Sequence, residues 1–454
     1  VDSLQAVSPI DGRYRNEVEP LAEYFSEYAL IRCRLRVEIR YFIALANHPG
    51  VDFIRPLTSL EVDFLRGLIR DFDPEQARRV KEIEARLRHD VKAVEVFLRE
   101  QFAGTSLDDV REGIHFGLTS EDVNNLAHAL AVRDGLAEVY FPVLEQLQTK
   151  LREMALAHAA IPMLARTHGQ PASPTTVGKE MAVFAGRIEQ QRRYLQEAWE
   201  RIPGKLNGAT GNYNAHFAAY PSIDWIAFSQ DFVTSLGLVP TLVTTQIEPH
   251  DALIALFDAL ARINAILLDL CQDMWHYVSY GYFAQIVRPG EVSSSTMPHK
   301  VNPIHFENAE GNLEVANALF QLFARRLPVS RMQRDLSNST VMRNIGVALA
   351  HTLIACKGVL RGLERLVVDE ASLRADLDRH WEVITEGIQT ILRRERVEGA
   401  YDILKAFSRG AAIRREDIVA FIAGLDVSPA VKDELLRLTP DTYTGEAARL
   451  AGDL

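Results

Sequence analysis

Cysteine is the scarcest informative residue in this 454-residue chain: there are three, Cys33, Cys271 and Cys356, with no CxxC or CxxxxC spacing. So few and so widely separated thiols exclude a secreted disulfide framework and a structural zinc site. A basic excess is lacking too. The 50 Lys+Arg stand against 61 Asp+Glu, a formal net charge of −11, which excludes the footprint needed to wrap nucleic acid. An anionic small molecule remains possible, because a local cluster of Arg and Lys can override the global sign. Glycine (26) and proline (19) are thin for this length, which favours a few long elements over many short strands. No uncharged apolar run reaches the ~20 residues of a membrane span. The opening residues carry neither the charged start nor the apolar core of a signal peptide. The expected setting is cytoplasmic and reducing, with no nucleic acid or membrane as partner. Hydrophobic residues at 47% and charged residues at 24% exclude disorder and collagen-like structure. The length predicts about three domains.

What is present is helical period. Leu253, Leu256, Phe257, Leu260, Ile263, Ile266, Leu267, Leu270 and Met274 keep the i, i+3, i+4, i+7 rhythm through Asp251–Val278. Ile345, Leu349, Leu353, Cys356, Leu360 and Leu363 repeat it; Thr175–Ile202 is a third such stretch, and Leu126–Ala160, interrupted only by Pro142, a fourth. Helices this long bury a wide face against one another, so the middle of the chain reads as an elongated bundle. Thr58-Ser59-Leu60-Glu61 and Thr119-Ser120-Glu121-Asp122 fit the capping pattern of a hydroxyl followed three residues later by an acid. No two alternating runs are joined by a hairpin turn, so any sheet is minor. The first part has shorter helices broken by Pro49-Gly50, Pro56 and Pro74, and the last has short pieces such as Tyr401–Ser408 and Glu416–Leu425. The predicted fold is all-α in three domains: 1–118, helical; 119–366, the long-helix bundle; 367–454, small and helical.

Three polar segments lie between the long helices: Arg166-Thr167-His168-Gly169-Gln170-Pro171, the stretch from Gly208 to His216, and the stretch from Glu291 to Pro303. A plain connector seldom needs His, Lys, Asn and three serines together, which points to chemistry. Metal chemistry is not expected: the 13 histidines include no HExxH, and His48, His128, His158, His276 and His380 are scattered on helices. The Gly208–Gly211 turn lacks the lysine-serine pair of a phosphate loop and reads as part of an active-site loop.

Ser294-Ser295-Thr296-Met297-Pro298-His299-Lys300-Val301-Asn302-Pro303 resembles the signature loop of the fumarase/aspartase superfamily, whose members cleave C–N or C–O bonds and release fumarate. Within it, His299 and Thr167-His168-Gly169-Gln170 are similar to the adenylosuccinate lyase family, most of all its bacterial form. Argininosuccinate lyases and fumarases differ at those two places. Further matches are Asp11-Gly12-Arg13-Tyr14, Arg88-His89-Asp90, Thr119-Ser120-Glu121-Asp122, Thr245-Gln246-Ile247-Glu248-Pro249-His250, and Gln333-Arg334-Asp335 through Ser339-Thr340-Val341-Met342-Arg343. Ten residues of signature with ordered satellites are far more specific than one short motif.

The resemblance implies cleavage of adenylosuccinate to AMP and fumarate, and of SAICAR to AICAR, in purine biosynthesis, with no cofactor. Removing a proton beside a carboxylate builds a dianion that needs preorganised donors, for which Lys300 and Asn302 are suited. The leaving nitrogen needs a proton from the opposite side. By resemblance His168 is that general acid and Ser294 the general base, activated by neighbouring N–H groups and Lys300 in a closed site. His89 is expected to support His168 or the substrate, with Arg88 and Asp90 in the same substrate-contact segment; without the resemblance His89 reads as a surface helix residue. Arg334, Ser339, Thr340 and Arg343, joined by Arg13 and Tyr14, suit a phosphate. Thr119, Ser120 and Gln246 are assigned to the succinyl carboxylates, and Ser295 and Asn308 to the substrate. Thr119 is also a plain helix cap, and both roles can hold at an anion-attracting N-terminus. Ser293 stands where the family usually has glycine, which bears on loop closure. A homotetramer is implied, each active site drawing on three chains. Competing readings are a sister lyase, against which Arg334 and Arg343 count, and an inactive scaffold, which has no reason to keep His168, Ser294, Lys300 and Asn302 together.

Overall fold

The structure is a computed structural model and describes residues 3–287, 290, 297, 299–408 and 413–453. Helix α1 (Glu27–Ala46) starts where the Ser26 hydroxyl accepts from the Ala29 N–H, and ends just before Pro49-Gly50. Helix α2 (Ser59–Arg70) has the expected capping box, with Thr58 and Glu61 each accepting the other's backbone N–H. Pro74 does not break a helix but begins α3 (Pro74–Leu87), where its missing N–H matters least, and Asp73 and Gln76 box the end. Next come α4 (Asp90–Phe102) and α5 (Ser120–Gly135).

The fourth long stretch is two helices. A π-helical turn at Leu136–Tyr140 separates α5 from α6 (Phe141–Ala157), with the Phe141 N–H bonded to Leu136 O. Pro142 has no N–H for Glu138 O, and widening the turn just ahead of it absorbs that loss. Strands β1 (Pro162–Thr167) and β2 (Gln170–Thr176) form an antiparallel hairpin that the sequence reading did not expect. Its turn is His168-Gly169, with φ of +53° and +74°, the left-handed pair of a two-residue hairpin loop. Three two-stranded sheets are the only sheets among the described residues, so the sheet is indeed minor. Helices α7 (Val177–Glu200), α8 (Trp225–Ser235), α9 (Asp251–Ser279), α10 (Ile304–Arg326) and α11 (Ile345–Leu363) complete the long elements. Shorter helices follow to Gly452. The fold is all-α in class. One helical segment, Ser337–Leu363, is long and apolar enough to cross a membrane by length and composition, and most of it is buried within the protein.

The chain forms two compact units, each discontinuous in sequence. The first comprises Val1–Val143, Gln191–Asn264 and Asn312–Ala355. In it Phe257 stacks on Phe320 at 5.7 Å, and buried Asn264 donates to Asn317 and Thr352. Phe25 is wedged between Gly135 and Gly346, at both of which a methyl group would overlap its ring or Cβ. The second comprises Leu144–Gln190, Ala265–Gly311 and Cys356–Leu454, with an apolar cluster around Leu377, Ile384, Ile388, Leu392, Ile418 and Leu435.

Within the second unit the start of α7 lies directly on the end of α6. The Gly178 N–H bonds to His158 O at 2.9 Å, and a Cβ there would meet backbone atoms of Ala155 and Ala159. Backbone cannot rotate aside as a side chain can, so Gly178→Ala is expected to destabilise by about 1–3 kcal/mol. A lower urea midpoint with unchanged slope would register it.

Candidate functional site

In the first unit, α5 presents its N-terminus to two of the sequence-selected segments. Asp122 accepts the Thr119 N–H at 2.9 Å, so Thr119 is the helix cap its sequence suggested. Arg334 lies over this end, with Nη1 3.4 Å from the Ser120 hydroxyl and Nη2 3.3 Å from the Glu121 carboxylate. Gln246 joins them: its Oε1 accepts from Arg334 Nη1 at 2.9 Å, and its Nε2 donates to Ala209 O at 2.8 Å. Thr119, Ser120, Gln246, Arg334 and the Gly208 loop therefore converge. A helix N-terminus, a guanidinium, a hydroxyl and an amide are together a receptor for a carboxylate or phosphate.

A second group forms where α3 gives way to α4. Arg88 ends α3 in a left-handed conformation, φ +56°, and His89 caps α4 by accepting the Lys92 N–H on Nδ1 at 3.2 Å. That leaves Nε2 of the half-exposed imidazole for other partners. Asp90 faces Arg34, whose Nη2 donates to it at 2.5 Å, and Arg343, 3.4 Å away. Burial pushes the Asp90 carboxyl up, but Arg34, the Val91 N–H and Arg343 outweigh this and hold it below the usual range. Arg343 also pairs with Glu27 at 2.8 Å. Two of the three arginines expected at the phosphate thus stand against carboxylates, Arg334 on Glu121 and Arg343 on Glu27 and Asp90. Arg13 lies over the ring of Tyr14. The same N-terminal stretch meets Arg343 at a cavity of about 110 Å³ lined by Ile10, Asp11, Arg15 and Gly346. Ser339 and Thr340 lie on the short helix Ser337–Met342, which precedes Arg343.

In the second unit His168 is exposed at the hairpin tip. Two residues before the tip, Arg166 fixes the hairpin by donating to Asp376 at 2.5 Å, an acid that also accepts the Tyr282 hydroxyl. Lys300 is exposed, its N–H bonded to Met297 O at 3.0 Å. Asn302 is half-buried and Asn308 exposed near the start of α10. Ser293, Ser294 and Ser295 lie outside the described residues. Among the described residues no group of His, Cys, Asp and Glu has the arrangement of a metal site. Non-glycine residues with positive φ include Arg88, His168, Tyr213 and His250, one in each of four selected motifs, and unfavourable backbone of this kind gathers at functional segments.

Comparison with known proteins gives the same reading end to end. A family profile described as "Lyase" matches residues 12–316, and one described as "Adenylosuccinate lyase C-terminal" matches 330–444. A protein named adenylosuccinate lyase from Legionella pneumophila (strain Corby) is 48% identical over 99% of this chain and 98% of its own length. One so named from Escherichia coli (strain K12) is 47% identical over 100% and 99%. The chain belongs to the adenylosuccinate lyase family of the fumarase/aspartase superfamily. The fold is that of a fumarate lyase from Mesorhizobium sp. BNC1, with TM-score 0.77 and 19% identity over 96% of this chain and 97% of that one. It is also that of a 3-carboxy-cis,cis-muconate lactonizing enzyme from Pseudomonas putida, with TM-score 0.75 and 22% identity over 95% of both.

Several charged residues of this adenylosuccinate lyase family member escaped the sequence reading. Arg34 and Lys205 are buried, as are Glu121 and Asp122. Asp122 and Glu121 stand inside a selected motif, but only the helix-cap role of the acid was read there. Glu121 is pushed up to about 7 by burial, against the opposing pull of Arg334 and Lys205. A folded pKa above the ordinary 4.5 means that its contribution to stability is complete below about pH 4.5 and is lost as pH rises through 7. Wild type should therefore lose roughly 3 kcal/mol across that window relative to Glu121→Gln, which keeps a neutral group there throughout. Urea titrations of both proteins at pH 5 and pH 8 would measure the difference.

Proposed function

We propose that the chain is an adenylosuccinate lyase, cleaving adenylosuccinate to AMP and fumarate and SAICAR to AICAR and fumarate. The observation that carries this is near-half identity, end to end, with proteins bearing that name. Ser294 removes the proton from the carbon beside the succinyl carboxylate. Lys300 and Asn302, with Ser295, stabilise the negative charge that develops on that carboxylate. The C–N bond then breaks, its electrons pass to the purine or imidazole substituent nitrogen, and His168 protonates that nitrogen. His89 assists, beside Arg88 and Asp90. Gln246, Thr119 and Ser120 take the succinyl carboxylates, while Arg13, Tyr14, Arg334, Ser339, Thr340 and Arg343 take the phosphate. Asn308 lies near the substrate. The ion pairs on Arg334 and Arg343 fit this assignment, because a bound anion can replace a carboxylate partner without leaving the guanidinium unpaired. No cofactor is required.

The active form is a homotetramer acting in the cytoplasm, with each site completed by three chains. Exposed Val183, Tyr194, Trp275 and Val315 along α7, α9 and α10 support helix-to-helix association. The chain is divided into three consecutive domains, 1–118, 119–366 and 367–454, and all the assigned site residues fall in the first two. A spectrophotometric assay with adenylosuccinate tests the activity, and no absorbance change from a folded oligomer would refute it. A fully active purified monomer would refute the shared site.

A further inference from the structure

Two buried charges join the start of α5 to the Gly208 loop, and no step of the reaction uses them. Asp122 and Lys205 are both 0% exposed, with Lys205 Nζ 3.0 Å from Asp122 Oδ1. Buried ions persist only where they are paired and hydrogen-bonded, and Asp122 is richly supplied. Besides Lys205 and the Thr119 N–H, it accepts the backbone N–H of Asn207 at 3.0 Å and of Gly208 at 3.1 Å. Lys205 in turn donates to Gly208 O at 3.1 Å. Gly208 has φ +81°, a conformation that glycine permits but does not itself select. The carboxylate and ammonium supply that selection by holding the two peptide groups on either side of the Gly208 Cα.

The contacts continue in a ring. Ala209, the next residue, offers its carbonyl to Gln246 Nε2; Gln246 Oε1 meets Arg334; Arg334 meets Glu121 and Ser120, the two residues before Asp122. With Oε1 on a donor and one Nε2 hydrogen on an acceptor, the Gln246 amide has a single orientation. Its second Nε2 hydrogen is then the one available to an incoming carboxylate.

We propose that Asp122, with Lys205, is a positioning residue that orients the Gln246 amide toward the substrate by fixing the Gly208-Ala209 backbone. This rests on the reading that the chain takes adenylosuccinate and that Gln246 meets its succinyl group. The test is a cycle of Asp122→Asn, Gln246→Ala and the two combined, with kcat and KM for adenylosuccinate measured for each. D122N is expected to raise KM about tenfold with kcat within about threefold, as loss of one oriented hydrogen bond to a charged group would do. In the Q246A background the same change should raise KM by less than about twofold, because the group it positions is gone. Effects that multiply would overturn the proposal, as would a D122N enzyme whose kcat falls while KM stays put. If D122N does not fold, D122N/K205M carries the same cycle, since it leaves no unpaired buried ion. A wild type that turns over no adenylosuccinate would instead overturn the activity on which the proposal rests.

Discussion

A His168→Ala variant should fold, assemble and bind adenylosuccinate, yet lose about 10²–10⁴-fold in kcat, the usual contribution of a positioned general acid. The expectation of intact folding comes from the place of His168, exposed at the tip of a two-residue hairpin turn. The left-handed φ of +53° is somewhat unfavourable for any non-glycine residue, so alanine changes that local energy little. The hairpin is anchored close to its tip through a different side chain, Arg166 on Asp376, which the substitution leaves in place. The companion variant Ser294→Ala should lose turnover to a similar degree, because base and acid serve one elimination. If Ser294→Ala kept near-normal turnover while His168→Ala lost it, the base would have to be sought elsewhere, with Ser293 and Ser295 the first to examine. Leaving-group dependence separates the roles further. A defect in protonating the departing nitrogen shrinks as that nitrogen becomes less basic, whereas a defect in proton abstraction does not.

Arg34→Met is expected to give the largest loss of stability, about 3–5 kcal/mol. The Arg34 side chain is only 2% exposed, and its two arms tie three helices together. Nε donates to Asn124 on α5 at 2.8 Å and Nη2 to Asp90 at the start of α4, while the stem belongs to α1. Methionine fills the volume but removes the charge, leaving Asp90 with Arg343 at 3.4 Å and Asn124 short of a donor. Arg34→Lys should recover only part of the loss, since a single ammonium cannot serve both directions. Because the depressed Asp90 pKa favours the folded state at neutral pH, wild type sheds the contribution as pH falls through that depressed value, whereas Arg34→Met lacks the Arg34 share at every pH and keeps only what the Val91 N–H and Arg343 supply. A loss under 1 kcal/mol by denaturant titration at pH 7 would show the tie to be dispensable.

The long helices could be read in advance because their burial is periodic. Asp251–Val278 was expected and Asp251–Ser279 is found; Ile345–Leu363 agrees at both ends. Helix α10 is less legible, since Asn308, Gly311, Asn312 and Asn317 dilute its apolar rhythm, and Asn312 and Asn317 meet their partners His351 and Asn264 only in the packed structure. The hairpin was hidden for a different reason. Pro162, Pro171 and Pro174 interrupt any alternation, and His-Gly is a less conspicuous turn than Asn-Gly. At the site, motifs located residues that lie near the surface. Arg34 and Lys205 were invisible because a buried charge looks, in sequence, like any exposed one. Only the distant partners, Asp90 and Asn124 for one and Asp122 for the other, give them a role.

Each compact unit is assembled from three separated stretches of chain, and this bears on how the protein emerges from the ribosome. Phe25 lacks one of its two flanking glycines until Gly346 has been made, Phe257 lacks its stacking partner until Phe320, and buried Asn264 waits for Asn317 and Thr352. At about 5–20 residues per second, the interval between completing the first stretch of the first unit and its last is roughly 10–40 s. Throughout it the nascent chain carries apolar helix faces whose permanent partners do not yet exist. The packing of the first unit is therefore completed only once its last stretch has been made.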